Sequence, residues 1–135
     1  MGAMSTTGST LLAVNGTLMR GLELNPNLLA VGASFVREDR TAPDYRLFSI
    51  NDRHPGMYRV AAGGVSVAVE VWSVPTAGLA EILVKEPAGL CIGKVRLADG
   101  EEVLGVLAEA ILCDGQREIT EFGGWRAYCA AAKPA

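Results

Sequence analysis

Val65-Ser66-Val67-Ala68-Val69-Glu70-Val71-Trp72-Ser73-Val74 decides the fold class of this chain. Valine at every second position is the period of a β-strand, whose side chains point alternately to two faces. Val65, Val67, Val69 and Val71 are therefore expected to share one buried face. Ser66, Ala68, Glu70 and Trp72 fall on the other, where a carboxylate beside an indole suits either solvent or a pocket.

Downstream, Pro75-Thr76 opens a helix with Thr76 as N-cap and Leu79, Ile82 and Leu83 as its apolar stripe. Pro87-Ala88-Gly89 stops it. Leu90 to Leu97 and Glu102 to Glu109 read as a hairpin across Asp99-Gly100, a favoured turn pair. Val103 to Leu107 is apolar on both faces and is expected to be a central strand. A last short helix, Trp125 to Ala132, follows Gly123-Gly124. Upstream, Ser9 to Gly16 reads as a strand ending in an Asn15-Gly16 turn. Asn25-Pro26-Asn27 breaks the chain, and Leu28 to Gly32 is too short to assign. Ser34 to Arg37 and Tyr45 to Ile50 read as strands, Asn51 to Gly56 as a polar loop and Met57 to Ala61 as a further strand. The pattern implies an α+β fold: a mainly antiparallel sheet or partial barrel with two short helices.

At 135 residues the chain fits one domain, placed at 9–132 after a Ser/Thr-rich tail at 1–8. Met1-Gly2-Ala3-Met4-Ser5-Thr6 matches the myristoylation pattern, but we read it as a disordered tail or cloning scar before a native start at Met4. The aromatic share is only 6%, so Val, Leu, Ile and Ala must fill the core. A net charge of −3 gives no basic field for a nucleic-acid backbone. Arg37, Arg40, Arg46, Arg53 and Arg59 cluster, but Glu38, Asp39, Asp44 and Asp52 offset them. No apolar run reaches the roughly 20 residues of a membrane helix, so no membrane partner is expected and the chain reads as cytoplasmic. Cys91, Cys113 and Cys129 are widely spaced and His54 is the single histidine, which implies neither a metal site nor a disulfide framework.

Three places can carry chemistry. In Asn15-Gly16-Thr17-Leu18-Met19-Arg20-Gly21, a glycine-flanked loop after a strand can aim backbone N–H groups at an anion, with the Thr17 hydroxyl and the Arg20 cation at hand. A plain turn has the same signature. Glu86 sits where the Thr76 helix ends, and the negative helix end raises a carboxyl pKa toward the range of a general acid/base. A solvated carboxylate at a helix end reads equally simply. Glu70 is either a surface residue of its strand or, if its face lines a cavity, a carboxyl raised by burial. His54, in an arginine-rich loop, is a titratable group near neutrality or a solvated imidazole.

The loop Asn15 to Gly21 resembles the Tyr-Gly-(Ser/Thr)-Leu…Gly loop of the γ-glutamylcyclotransferase-like fold. Gly21-Leu22-Glu23-Leu24-Asn25, Pro87 to Val95, and Asp99-Gly100 with Val103-Leu104-Gly105 resemble the carboxy-terminal domain of allophanate hydrolase. So does the ending Ile119-Thr120-Glu121-Phe122-Gly123-Gly124-Trp125-Arg126-Ala127-Tyr128, the most specific of the matches. The resemblance implies a mixed β-barrel with short flanking helices and one pocket at Gly16-Thr17-Leu18. It further implies that loop amides hold a substrate carboxylate while a glutamate after a short helix moves protons. Asn15 stands where the cyclotransferase loop has an aromatic residue, and Leu18 where the allophanate hydrolase segment has a histidine.

The expected function is a small enzyme, cyclotransferase- or allophanate hydrolase-related, acting on a small amide- or amine-bearing carboxylate without metal or cofactor. Asn15, Gly16, Thr17, Leu18, Met19 and Arg20 would bind substrate, and Glu86 would be the acid/base with Glu70 in reserve. The alternative is a non-catalytic accessory domain that partners an amidase or forms a homo-oligomer, using the same pocket or its Trp125 end.

Overall fold

The computed structural model describes residues 8–131, so the tail and its myristoylation-like start lie outside the described residues. The elements run β1 (Ser9–Val14), α1 (Asn25–Ala30), β2 (Ser34–Arg40), β3 (Tyr45–Ile50), β4 (His54–Arg59), β5 (Ala68–Pro75), α2 (Leu79–Lys85), β6 (Leu90–Arg96), β7 (Glu102–Ala108), α3 (Ala110–Cys113), β8 (Arg117–Glu118) and α4 (Trp125–Ala131).

The valine-rich stretch becomes β5, antiparallel to β1 on one side and to β2 on the other. Beyond β1 lies β7, held parallel through Leu12 opposite Leu104 and Ala13 opposite Gly105. The β6–β7 hairpin turns at Gly100, whose φ of 94° suits glycine. The sheet order β2-β5-β1-β7-β6 places β7 inside the sheet, between β1 and the edge strand β6, which suits a strand apolar on both faces. A smaller sheet has the order β4-β3-β8.

The expected barrel is not a closed ladder. Edge strands β2 and β6 meet only at an isolated bridge between Thr41 and Leu97. Ala42 N–H donates to Arg96 O and Ala98 N–H to Arg40 O there, each at 2.9 Å. Among the described residues the fold is thus α+β, with two sheets and few short helices.

The four valines do not share a face. Val67 is buried with Trp72 and Val74 in the main core, and Val65 packs partly against it. Val69 and Val71 are buried instead with Ala13, Leu97 and Val103 in a smaller cluster. The strand begins at Ala68, and its alternation does not extend back across the preceding residues. Glu70 and Trp72, left open to solvent or pocket by the pattern, are only 2% and 3% exposed.

Pro26 starts α1 rather than breaking the chain, because the first helical turn needs no N–H at that position. Of the expected Asn51 to Gly56 loop, residues 51–53 form a tight turn and His54 to Gly56 already belong to β4. Pro55 is tolerated there because β4 is an edge strand. Thr76 does not cap α2; a 3-10 turn intervenes, and its Oγ1 shares a 2.6 Å hydrogen bond with Thr10 Oγ1. No described helix is long and apolar enough to cross a membrane.

Gly105 shows how closely the central strands pack. An added Cβ would lie 2.4 Å from Val95 Cγ2 and 3.2 Å from Ala13 O. Gly105→Ala is expected to destabilise the fold by roughly 1–3 kcal/mol, the usual cost of overpacking, read as a lower urea midpoint.

Candidate functional site

Parallel pairing with β7 brings the end of β1 beside Val106. Buried Asn15 uses that neighbour, its Nδ2 donating to Val106 O at 2.9 Å. At Gly16 an added Cβ would lie 2.5 and 2.7 Å from Pro55 Cδ and Cγ. Glycine is needed here for close approach, not for a positive φ. The loop then closes on itself: Met19 N–H donates to Gly16 O at 3.0 Å, Leu24 N–H to Thr17 O at 2.9 Å, and Asn25 Nδ2 to Leu18 O at 2.8 Å. The turn's hydrogen bonds are donated from Met19 onward, not by the amides of Gly16, Thr17 or Leu18.

The facing wall comes from the β3–β4 turn. Asn51 and Asp52 both have positive φ, 53° and 57°, in a tight turn closed by Arg53 N–H donating to Ile50 O at 2.9 Å. Asp52 Oδ1 accepts from Ser49 Oγ at 2.5 Å and from Tyr128 Oη at 2.6 Å. This fixes the turn that delivers His54 and Pro55 to the loop.

Glu86 supplies the third wall. Its N–H ends α2 by donating to Leu83 O at 3.1 Å, and its backbone turns extended before Pro87. With Leu90 and Val106, these segments enclose a cavity of about 10 Å³, near the minimum for one water. Glu86 Oε2 is fully buried and has no hydrogen-bond partner. Burial pushes its carboxyl up to about 7. An open groove of about 440 Å³ meets the cavity at Thr17 and His54 and is bordered by Glu23, Arg53 and Lys85.

Asn15, Gly16, Thr17 and Leu18 thus lie on the same cavity as Glu86, and His54 joins them. Met19 and Arg20 do not line it. Met19 is buried in the main core, 4% exposed. Arg20 turns the other way: its Nε donates to Glu70 Oε2 at 3.1 Å, its Nη2 to Glu38 Oε2 at 2.8 Å, and its guanidinium sits 3.8 Å above the Phe35 ring. Glu38 and Glu70 are directly opposite in the β2–β5 ladder, so one arginine between them relieves a like-charge pair.

Glu70 lies outside the cavity, against the expectation that burial would raise it. Burial does press its carboxyl upward, but the Arg20 amide, the Trp72 indole, the Arg20 guanidinium and Arg126 more than offset that and hold it below the usual range. The Arg20 N–H reaches Oε1 at 2.9 Å, Trp72 Nε1 reaches it at 3.1 Å, and Arg126 Nη2 reaches Oε2 at 3.2 Å. So paired, Glu70 borders a separate open pocket of about 490 Å³ together with Met19, Arg40, Gly123 and Trp125. Among the described residues no group of His, Cys, Asp or Glu side chains could hold a metal.

Sequence reasoning missed Pro55, Leu90 and Val106 as cavity walls. Only the exposed-looking Arg53-His54-Pro55 run gave any signal.

The family model for the allophanate hydrolase C-terminal domain matches residues 10–130. The chain belongs to that family. A crystal structure of a protein specific to uropathogenic E. coli is 66% identical, with a TM-score of 0.91 over 93% of this chain and 98% of that one. The urea amidolyase of Saccharomyces cerevisiae is 33% identical over 87% of this chain, which spans only 7% of that relative's length. Allophanate hydrolase from Kluyveromyces lactis is 31% identical, with a TM-score of 0.86 over 91% of this chain and 21% of that one. A mouse AIG2-like protein shares the fold alone, with 19% identity and a TM-score of 0.56 over 74% of this chain and 76% of that one.

The two glutamates of this family member should respond oppositely to pH. Glu86 titrates near 7 when folded and near 4.5 when unfolded, so the folded state holds the extra proton and stability falls as pH rises between those values. Glu86→Gln is expected to stabilise the protein at pH 8 by up to roughly 2–3 kcal/mol and to change little at pH 4.5, measured by urea unfolding. Glu70 is depressed, so its contribution is present above the unfolded value of 4.5 and lost as pH falls through the folded one. Glu70→Gln is expected to cost roughly 2–4 kcal/mol at pH 7, less than a fully buried pair because both arginines are half-exposed.

Proposed function

We propose that this allophanate hydrolase C-terminal-like domain binds and acts on a small amide- or amine-bearing carboxylate at the Gly16–Glu86 cavity. The observation that carries the reading is the unpartnered, enclosed Glu86 Oε2 on a wall shared with Gly16, Thr17 and Leu18. A buried polar atom without a partner is costly and marks a place where a ligand group completes the site. A carboxyl titrating at about 7 can take a proton from an attacking amine and return it to the leaving nitrogen. The amides of Gly16, Thr17 and Leu18 are the donors for the oxygen that gains charge in that step. Neither metal nor organic cofactor is invoked. The setting we propose is cytoplasmic, alongside an amidase activity of the kind that accompanies this domain in its longer relatives.

A second reading is favoured by the size of the cavity, about 10 Å³, which holds no whole substrate. On that reading the domain is a non-catalytic accessory to a separate amidase.

Turnover separates the two. With a substrate identified by thermal-shift screening of small amides and carboxylates, Glu86→Gln is expected to lower kcat by roughly 10²–10⁴-fold, with the variant still folded. Turnover equal to the parent would remove Glu86 as acid/base and make Glu70 the next residue to test. Binding without turnover in the parent itself would leave the accessory reading, tested by the domain's effect on an added amidase.

A further inference from the structure

We infer that the groove bordered by Arg53 and Lys85 is the carboxylate subsite, so that the ligand is divided, with its anion on these two cations and its reacting group at Glu86. The inference rests on the reading above and changes where the substrate's charge is held.

Volume argues first. About 10 Å³ admits one water-sized group, whereas a carboxylate group alone is three heavy atoms. A carboxylate inside the cavity would also face the Glu86 carboxyl at close range with no cation lining that space. The groove has about 440 Å³ and meets the cavity at Thr17 and His54. A ligand lying in the groove therefore reaches the Gly16 loop with its end alone.

Charge argues second. Arg20, Arg37, Arg59 and Arg126 are each committed to a carboxylate. Among the described residues no carboxylate lies within ion-pair distance of Arg53 or Lys85, so their charge is available to a ligand. Glu23 borders the same groove, which disfavours a dianion and fits a monocarboxylate.

Position argues third. Arg53 leaves a turn fixed at several points: Asn51 N–H donates to Gln116 Oε1 at 3.0 Å, Gln116 Nε2 to Asn51 Oδ1 at 3.2 Å, and Arg53 N–H to Ile50 O at 2.9 Å. Lys85 is the residue before Glu86 at the end of α2. The two cations are thus carried on the backbone segments that form two walls of the cavity.

The test is an NMR titration of the backbone amides with N-acetylglycine and with neutral N-acetylglycinamide, on the parent, Arg53→Gln and Lys85→Gln. Both side chains are exposed, and thermal melts verify folding. N-acetylglycine is expected to shift the Gly16, Thr17 and Arg53 amides, to bind more tightly than N-acetylglycinamide, and to lose about tenfold in affinity in each variant, the scale of one charge-assisted hydrogen bond. If it shifts the Gly16 loop but binds both variants like the parent, this subsite is wrong while the cavity reading stands. Shifts confined to the groove, with Gly16 and Thr17 unmoved, overturn the divided ligand. If neither compound moves the Gly16 loop or the groove, the cavity reading fails and the subsite fails with it.

Discussion

One buried negative charge organises the molecule. Glu70 sits on the strand that pairs with both β1 and β2, its side chain only 3% exposed. A carboxylate taken out of water must be met by donors from every side. Here the donors are the indole of its own strand, the backbone and guanidinium of Arg20, and Arg126 from α4. Arg126 Nη2 also donates to Arg20 O at 2.7 Å. Satisfying one charge therefore ties the far end of the Asn15–Gly21 loop to the central sheet and to the last helix. The near end is tied by Asn15 to Val106.

The cavity follows from that fixation. A loop held at both ends presents the short stretch Gly16 to Leu18 in a set place, and two independent segments close on it. The β3–β4 turn is anchored to α4 through Asp52 and Tyr128, and Glu86 arrives at the end of α2. The last helix thus braces two of the walls without lining the cavity. This gives a physical role to the Trp125 to Tyr128 ending, whose sequence resemblance alone carried no mechanism.

The sequence made the hairpin at Asp99-Gly100 and the interior strand β7 legible because a turn dipeptide and a doubly apolar run report local constraints. Glu86 was legible as a candidate because its place after a helix and before Pro87 can be read along the chain. What could not be read was direction. Arg20 was placed toward the anion loop, but the like-charge pair Glu38 and Glu70, brought opposite each other by a ladder, draws it away. Glu70 was read as raised if buried, yet burial arrived together with its donors. Pro26 was read as a break and Pro55 as part of a polar loop, although a first helical turn and an edge strand both tolerate proline. The valines kept the right period but changed partners where β5 begins. Apart from Pro26, each miss concerns a tertiary neighbour, which no local pattern encodes.

The contact between Gly16 and the Pro55 ring has a further meaning for selectivity. One side of it is bare backbone, and the other is a ring with no rotamers to exchange. Most binding sites adapt to a larger guest by swinging a side chain, so their discrimination by size is gradual. This wall has nothing to swing, and accommodation would require moving the β3–β4 turn against its anchor on Tyr128. On the function proposed above, molecules that differ by one methyl at the reacting end are expected to be sorted abruptly, and this wall acts as a gauge for one end of the proposed ligand.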